Sequence, residues 1–172
     1  MAEPVVLDTG PPSTFARVGR LDLLRERLAG RAILSGEVVA ELERGVKAFP
    51  ALQDVLDADW VEIRPPFDKP DDLILVERLR MAIVGSAHDP RKNLGEAATI
   101  ILAQKLDAHV AIDDYDGANL ARARGLIVVD SIRLLQESIA MGEISCAEAV
   151  KLYEKMRQVS LLPERTRQQL CS

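Results

Sequence analysis

The sequence predicts an α/β fold in which helices cover both faces of a parallel sheet, with additional helices at its C-terminal end. Three observations lead there. Short, almost wholly apolar runs (VVL at 5–7, AIL at 32–34, HVAI at 109–112, LIVV at 126–129) have the length and β-branched content of strands buried on both faces. The segments between them place apolar residues three and four apart, the spacing of helices that lie against a sheet. Aromatics are only 3% of the chain while 48% is hydrophobic, so the interior is expected to be aliphatic and helix-lined rather than an aromatic β-sandwich. With 172 residues the chain suits one domain, residues 1–172, which includes the C-terminal helices from about residue 143.

Each element has a local reason. Val5-Val6-Leu7 is halted by Asp8, Gly10 and two prolines, so the aspartate should stand at the carboxyl end of a buried strand. Ser13 or Thr14 then caps a short helix through Arg17, and Leu21 to Leu28 forms a second. Ala32-Ile33-Leu34 is a strand ahead of Ser35, an N-cap for GEVVAELERG. Ala51 to Leu56 reads as helix and WVEI (Trp60 to Ile63) as strand, while the prolines of RPPFDKP exclude regular structure. A helix resumes at Asp71 or Asp72 with Leu73, Val76, Leu79 and Ile83 on one apolar face, and Gly85 is placed to close it. After the loop SAHDPRKN, the helix LGEAATIILAQKL starts at Asn93. His109 to Ile112 is a strand ending in Asp113-Asp114, a helix runs from Asp116 to about Arg124, and LIVV (Leu126 to Val129) is a further strand before the final helices.

Charge and composition exclude several functions. A net charge of -5 and a pI near 5.1 give no overall basic field, so nonspecific binding to long nucleic acid is not expected from charge alone. Cys146 and Cys171 lie far apart with no Cys-x-x-Cys spacing and read as ordinary thiols in a reducing compartment, not as a zinc site or a disulfide framework. No signal-like N-terminus and no run of membrane-spanning length is present, which leads us to expect a soluble, cytoplasmic protein.

Ligands of such sheets gather beyond the carboxyl ends of the strands, where Asp8, Asp113 and Asp114 are predicted. Taken singly, each acidic residue has an ordinary alternative. Asp8-Thr9-Gly10 reads as an aspartic-protease turn, a metal carboxylate or a plain Asx turn. Asp113 or Asp114 suits an N-cap, and Asn93 with Glu96 has capping-box spacing. Glu41 could be a solvated partner of Arg44 or Lys47. The protease alternative needs a β-rich fold that the helical patterning contradicts.

Together these segments resemble a known family. Asp8-Thr9-Gly10, the helix EVVAELERG, and LGEAATIILAQKLDAHVAIDDYDGANLARARGLIVVDSIRLL are similar to the PIN-domain family of metal-dependent ribonucleases, and in particular to the VapC-type toxins of prokaryotic toxin-antitoxin pairs. The likeness runs from Val5 to about Gly142 and the GEIS turn. It implies a PIN-like fold and a divalent-metal-dependent endoribonuclease, with Asp8, Glu41, Glu96 and Asp114 as the acidic catalytic set. Asp8, Glu96, Asp114 and Asp116 would be metal ligands. Thr9, Asp113 and Ser131 would support them, with Asp114 preferred to Asp113 for the fourth place. Asp130-Ser131 departs from the family, where glycine more often precedes the hydroxyl residue, and helix capping is the favoured reading of Asp130.

Mg2+ or Mn2+ suits such a set, because hard cations take oxygen ligands and need no histidine or cysteine. An RNA substrate approaching an acidic pocket also needs a basic rim, for which Arg17, Arg20, Arg91 and Lys92 are the candidates. His88 and His109 read as a loop residue and a strand-start residue, and Tyr115 as a surface residue able to stack on a base. The resemblance further implies a small antitoxin protein and a homodimer. The alternative is a PIN-like binding or assembly module that does not catalyse.

Overall fold

A computed structural model describes residues 3–83, 89 and 91–171. In chain order its elements are β1 (Val5–Leu7), α1 (Gly10–Arg17), α2 (Leu21–Leu28), β2 (Ala32–Ser35), α3 (Gly36–Gly45), a 3-10 turn (Pro50–Leu52), α4 (Gln53–Leu56), β3 (Val61–Arg64) and α5 (Pro70–Ala82). Then follow α6 (Leu94–Leu106), β4 (His109–Ala111), α7 (Tyr115–Ala123), β5 (Val128–Val129), α8 (Ser131–Ala140), α9 (Cys146–Val159) and α10 (Arg167–Cys171). The expected α/β class is the observed one.

The strands form one parallel sheet in the order β3-β2-β1-β4-β5. Val6 pairs with Ile33 on one side and Val110 on the other, so β1 is the central strand. From β1 the chain winds outward through β2 and β3, then returns to lay β4 and β5 on the opposite side. The order therefore reverses between β1 and β4, and it is at such a reversal that loops splay apart and leave a crevice beyond the strand ends. Strand pleat divides the core into two layers. Val5 and Leu7 face α1, α2, α3, α8 and α9, whereas Val6, Ile33 and Val110 face α5, α6 and α7.

Several local expectations are corrected. Neither Ser13 nor Thr14 caps α1; the helix begins earlier, with Thr9 at its N-cap and Pro11 and Pro12 in its first turn, where a missing N–H costs no intrahelical bond. Residues 51–56 split into the 3-10 turn and α4. On α5, Val76, Leu79 and the following Ile83 are buried, but Leu73 is 47% exposed. The run Leu73-Ile74-Leu75-Val76 is apolar all round, so its spacing cannot select a face. Gly85 and His88 lie outside the described residues.

The largest correction concerns the cysteines. Cys146, the first residue of α9, and Cys171, the last of α10, are joined by a disulfide with Cα atoms 5.7 Å apart. Their separation of 25 residues conceals a reversal in which α10 folds back onto the start of α9. Among the described residues no helix is long and apolar enough to cross a membrane.

Candidate active site

Asp8 follows the central strand, and its N–H donates to the Ala111 carbonyl at 2.9 Å, tying the end of β1 to the end of β4. Its carboxyl is buried, and its pKa rises to about 7. Burial is the main cause and the charge of Glu41 the next, against a lowering by the Thr9 and Gly10 backbone groups at the start of α1; Asp113 adds a smaller raise.

Glu41 reaches the same region from α3. Its Oε2 accepts the Thr9 hydroxyl at 3.0 Å, so the exposed side chain is held by Thr9 rather than paired with Arg44 or Lys47. Ser35 positions α3 by accepting the Val38 N–H at 3.3 Å, as its N-cap role predicts. Close passage of α6 depends on Gly95, where a Cβ would sit 2.6 Å from Glu41 Oε2.

Glu96 stands in the first turn of α6. The capping-box alternative does not form: Asn93 is left-handed at φ 61° and its side chain makes no cap hydrogen bond. Glu96 is instead buried, and its Oε1 has no hydrogen-bond partner. Its pKa rises to about 8, through burial first and then the charges of Asp8, Asp114, Asp116 and Glu41. Gly117 on α7 lies directly against it.

The two adjacent aspartates after β4 divide their work. Asp113 accepts the Ser131 N–H and the Ser131 hydroxyl, both at 2.7 Å. Burial lifts its pKa to about 6, opposed by those bonds and by one from Thr14. Asp114 caps α7 by accepting the Gly117 N–H at 2.9 Å, and its charge acts on Glu96. Asp116 is exposed in the first turn of α7. Asp130 takes the capping role expected for it, accepting the Arg133 N–H at 2.7 Å at the start of α8.

Asp8, Glu41, Glu96, Asp113, Asp114 and Asp116 thus meet at the reversal point, and the charges that act on Asp8 and Glu96 are those of other carboxylates. Among the described residues no three of them converge closely enough to ligate one ion as they stand. Burial and the neighbouring carboxylates instead raise the pKa of Asp8 and Glu96, a conflict that a bound cation would relieve. The donor set fits such a cation: every side-chain donor is a carboxylate or hydroxyl oxygen, and one buried carboxylate oxygen is unbonded.

Of the four basic residues expected at the rim, two are committed elsewhere. Arg17 donates to the Val159 carbonyl at 2.6 Å and stacks 3.8 Å over the Phe49 ring. Arg20 grips Asp22 at 3.0 Å. Both sit at or beyond the far end of α1, roughly 10 Å along the axis from Gly10 at 1.5 Å per residue, so they do not line the acidic crevice. Arg91 and Lys92 are exposed in the turn that leads into α6, Arg91 close to Asp89 at 3.6 Å. His109 pairs with Glu3 at 2.6 Å, at the opposite end of β4 from Asp113. The sequence reading missed Gly10, Thr14, Gly95 and Gly117. The glycines carried a signal in the repeated acid-glycine neighbours Asp8-Thr9-Gly10, Gly95-Glu96 and Asp116-Gly117; Thr14 carried none.

The chain matches a family model described as PIN domain over residues 4–168. Among curated proteins, none matches it. Three solved structures are similar. A domain of a functionally unknown protein from Methanocaldococcus jannaschii DSM 2661 is 20% identical with a TM-score of 0.48, covering 75% of this chain and 91% of its own. A PilT N-terminus domain protein from Sulfolobus solfataricus P2 is 15% identical with a TM-score of 0.46, covering 78% and 92%. VapBC2 from Rickettsia felis, bound to a DNA fragment from its promoter, is 19% identical with a TM-score of 0.47, covering 73% and 97%.

Proposed function

Since the chain belongs to the PIN-domain family, we propose that it is a divalent-metal-dependent endoribonuclease, with Asp8, Glu41, Glu96 and Asp114 as its acidic set. The observation that carries this reading is Glu96. A buried carboxylate with an unbonded oxygen, facing the charges of Asp8, Asp114, Asp116 and Glu41, is costly in its ionised form, and a bound cation would relieve that cost.

Mg2+ or Mn2+, when bound, polarises a phosphoryl oxygen and lowers the pKa of bound water. Asp8, Glu96 and Asp114 would hold it, with Asp116 at the exposed edge. Glu41, steadied by the Thr9 hydroxyl, orients water at the rim. Asp113 is held by Ser131 and Thr14 and fixes the start of α8 beside the crevice. Water attacks phosphorus and gives up a proton, one P–O ester bond breaks, and the leaving oxygen takes up a proton. Arg91 and Lys92 offer phosphate contacts at the entrance to α6.

The resemblance to VapC-type toxins extends the proposal: a cytoplasmic toxin, acting as a homodimer, whose crevice a small antitoxin protein blocks. Titration calorimetry with Mn2+ and cleavage of single-stranded RNA test the core of it. Metal binding and cleavage that both vanish in Asp8→Asn support the reading; a parent protein that takes up no Mn2+ and cuts no RNA overturns it. Co-expression with a short reading frame found to adjoin the gene tests the toxin role, which predicts a stable complex that does not cut.

A further inference from the structure

Beside the carboxylates runs a groove of about 560 Å³, bounded by α7 and by residues 160–166, which connect α9 to α10. Its floor is apolar, made by Ile132, Leu162 and Pro163, and its rim carries Tyr115, Arg122 and Arg165. Asp113 lines the groove too, so it opens directly onto the acidic crevice. We propose that this groove seats an unpaired nucleotide of the RNA, next to the phosphodiester being cut, with Arg122 and Arg165 on its phosphates. The inference rests on the nuclease reading above and adds a substrate-positioning site to it.

Three features favour a nucleotide. First, each guanidinium on the rim bonds a neutral oxygen: Arg122 the Asn119 side-chain carbonyl at 3.4 Å, and Arg165 the Glu164 backbone carbonyl at 3.0 Å. Their charges are left to complement phosphate, whereas the groove's own carboxylates already accept hydrogen bonds, Asp113 from Ser131 and Asp130 from the Arg133 N–H. Second, Tyr115 is 76% exposed at the mouth, an aromatic face beside an apolar floor, which is how single-stranded bases are gripped without a defined sequence. Third, the wall is anchored rather than loose. Tyr153 donates its hydroxyl to the Pro163 carbonyl, Arg157 pairs with Glu164 at 3.0 Å, and Leu162 is buried. A volume of this size is that of a small-ligand site and leaves room for a base and its sugar.

The test separates binding from cleavage. Fluorescence anisotropy of a labelled single-stranded RNA in EDTA measures binding with no metal-dependent cutting, for the parent and for Arg122→Ala/Arg165→Ala. The double variant is expected to bind about tenfold more weakly and to show a flatter salt dependence. With Mn2+ restored, its cleavage positions along a long RNA should shift relative to the parent. Tyr115→Ala should weaken binding severalfold while Tyr115→Phe restores it. If the double variant binds and cuts at the same positions as the parent, the groove is not a nucleotide site, and the nuclease reading stands unharmed. If the parent binds RNA through these arginines yet never cuts it, the nuclease reading fails and the groove survives. If the variants leave RNA binding untouched but release a co-purified protein, the groove is a protein-docking site and the proposal is overturned.

Discussion

Gly117 on α7 lies so close to Glu96 on α6 that a Cβ added to it would stand 2.4 Å from Glu96 Oε1 and 3.0 Å from its Cγ. Replacing a helical glycine with alanine ordinarily stabilises by about 0.5–1 kcal/mol. Here the methyl group must displace a buried side chain along its whole length. Gly117→Ala is therefore expected to lower RNA cleavage at least about tenfold without raising the melting temperature. Gly95→Ala, which meets the tip of the exposed Glu41 at 2.6 Å and Val38 Cγ2 only at 3.3 Å, should cost less. A Gly117→Ala protein that melts higher and cuts as fast as the parent would remove Glu96 from the site.

Asp8→Asn and Glu96→Gln keep shape and remove charge. We expect cleavage to fall by about 100-fold or more, in line with the loss of a group that stabilises charge at the reacting phosphate. In EDTA both variants should melt above the parent, since each relieves a buried carboxylate held against others. Differential scanning calorimetry reads this; lower melting points in EDTA would show the carboxylates to be stabilising on their own.

Asp8, Glu96 and Asp113 have folded pKa values near 7, 8 and 6, against ordinary values of 3.8, 4.5 and 3.8. The folded state then binds more protons than the unfolded one between about pH 4 and 8, so stability falls as pH rises through that window. In EDTA the melting temperature should drop by roughly 5 °C or more from pH 5 to pH 8. Saturating Mn2+ should cancel the drop at pH 8, because a ligand of the folded state alone stabilises it. A melting curve indifferent to both pH and Mn2+ contradicts the burial of these groups.

Asp113 and Asp114 can be separated because asparagine also caps helices. Asp114→Asn keeps the cap on Gly117 and removes the charge that bears on Glu96. Loss of cleavage by about tenfold or more with an unchanged melting temperature is expected. Ser131→Ala instead deprives Asp113 of its hydroxyl donor and should cost about 1–2 kcal/mol of stability, read by urea unfolding. Full activity in Asp114→Asn would pass the fourth place to Asp113.

Closing a loop of 25 residues by the Cys146–Cys171 disulfide should contribute about 3.5 kcal/mol by restricting the unfolded chain. Dithiothreitol or Cys171→Ser is expected to lower the melting temperature by several degrees, with α10 the first element to lose amide protection in hydrogen exchange. Equal melting with and without reductant would mean that the bond does not form in solution.

Class and most strand positions were legible because apolar runs of three or four residues between amphipathic segments allow little else, although β5, expected as a buried strand over Leu126 to Val129, covers only Val128–Val129 and is half-buried. Ser35 as a cap and Asp8 at a strand end followed from local chemistry in the same way. Local chemistry misled where a neighbour in space outweighed the neighbours in sequence. Asn93 and Glu96 have capping-box spacing, yet Glu96 turns into the core. Arg17 precedes a loop in sequence, yet the end of α9 and Phe49 occupy it. The cysteines look unrelated until α10 doubles back.

The sequence by itself determined which residues are acidic, which runs must be buried, and that Gly10, Gly95 and Gly117 each stand within two residues of an acid. Only the tertiary structure decided which acid each glycine admits: Gly10 makes room for Asp113, Gly95 for Glu41 and Gly117 for Glu96, and none of these pairs is adjacent in the chain. The reason is the strand order. Laying β4 against β1 brings segments a hundred residues apart to one crevice, and helices can close in on side chains there only where a Cβ is missing.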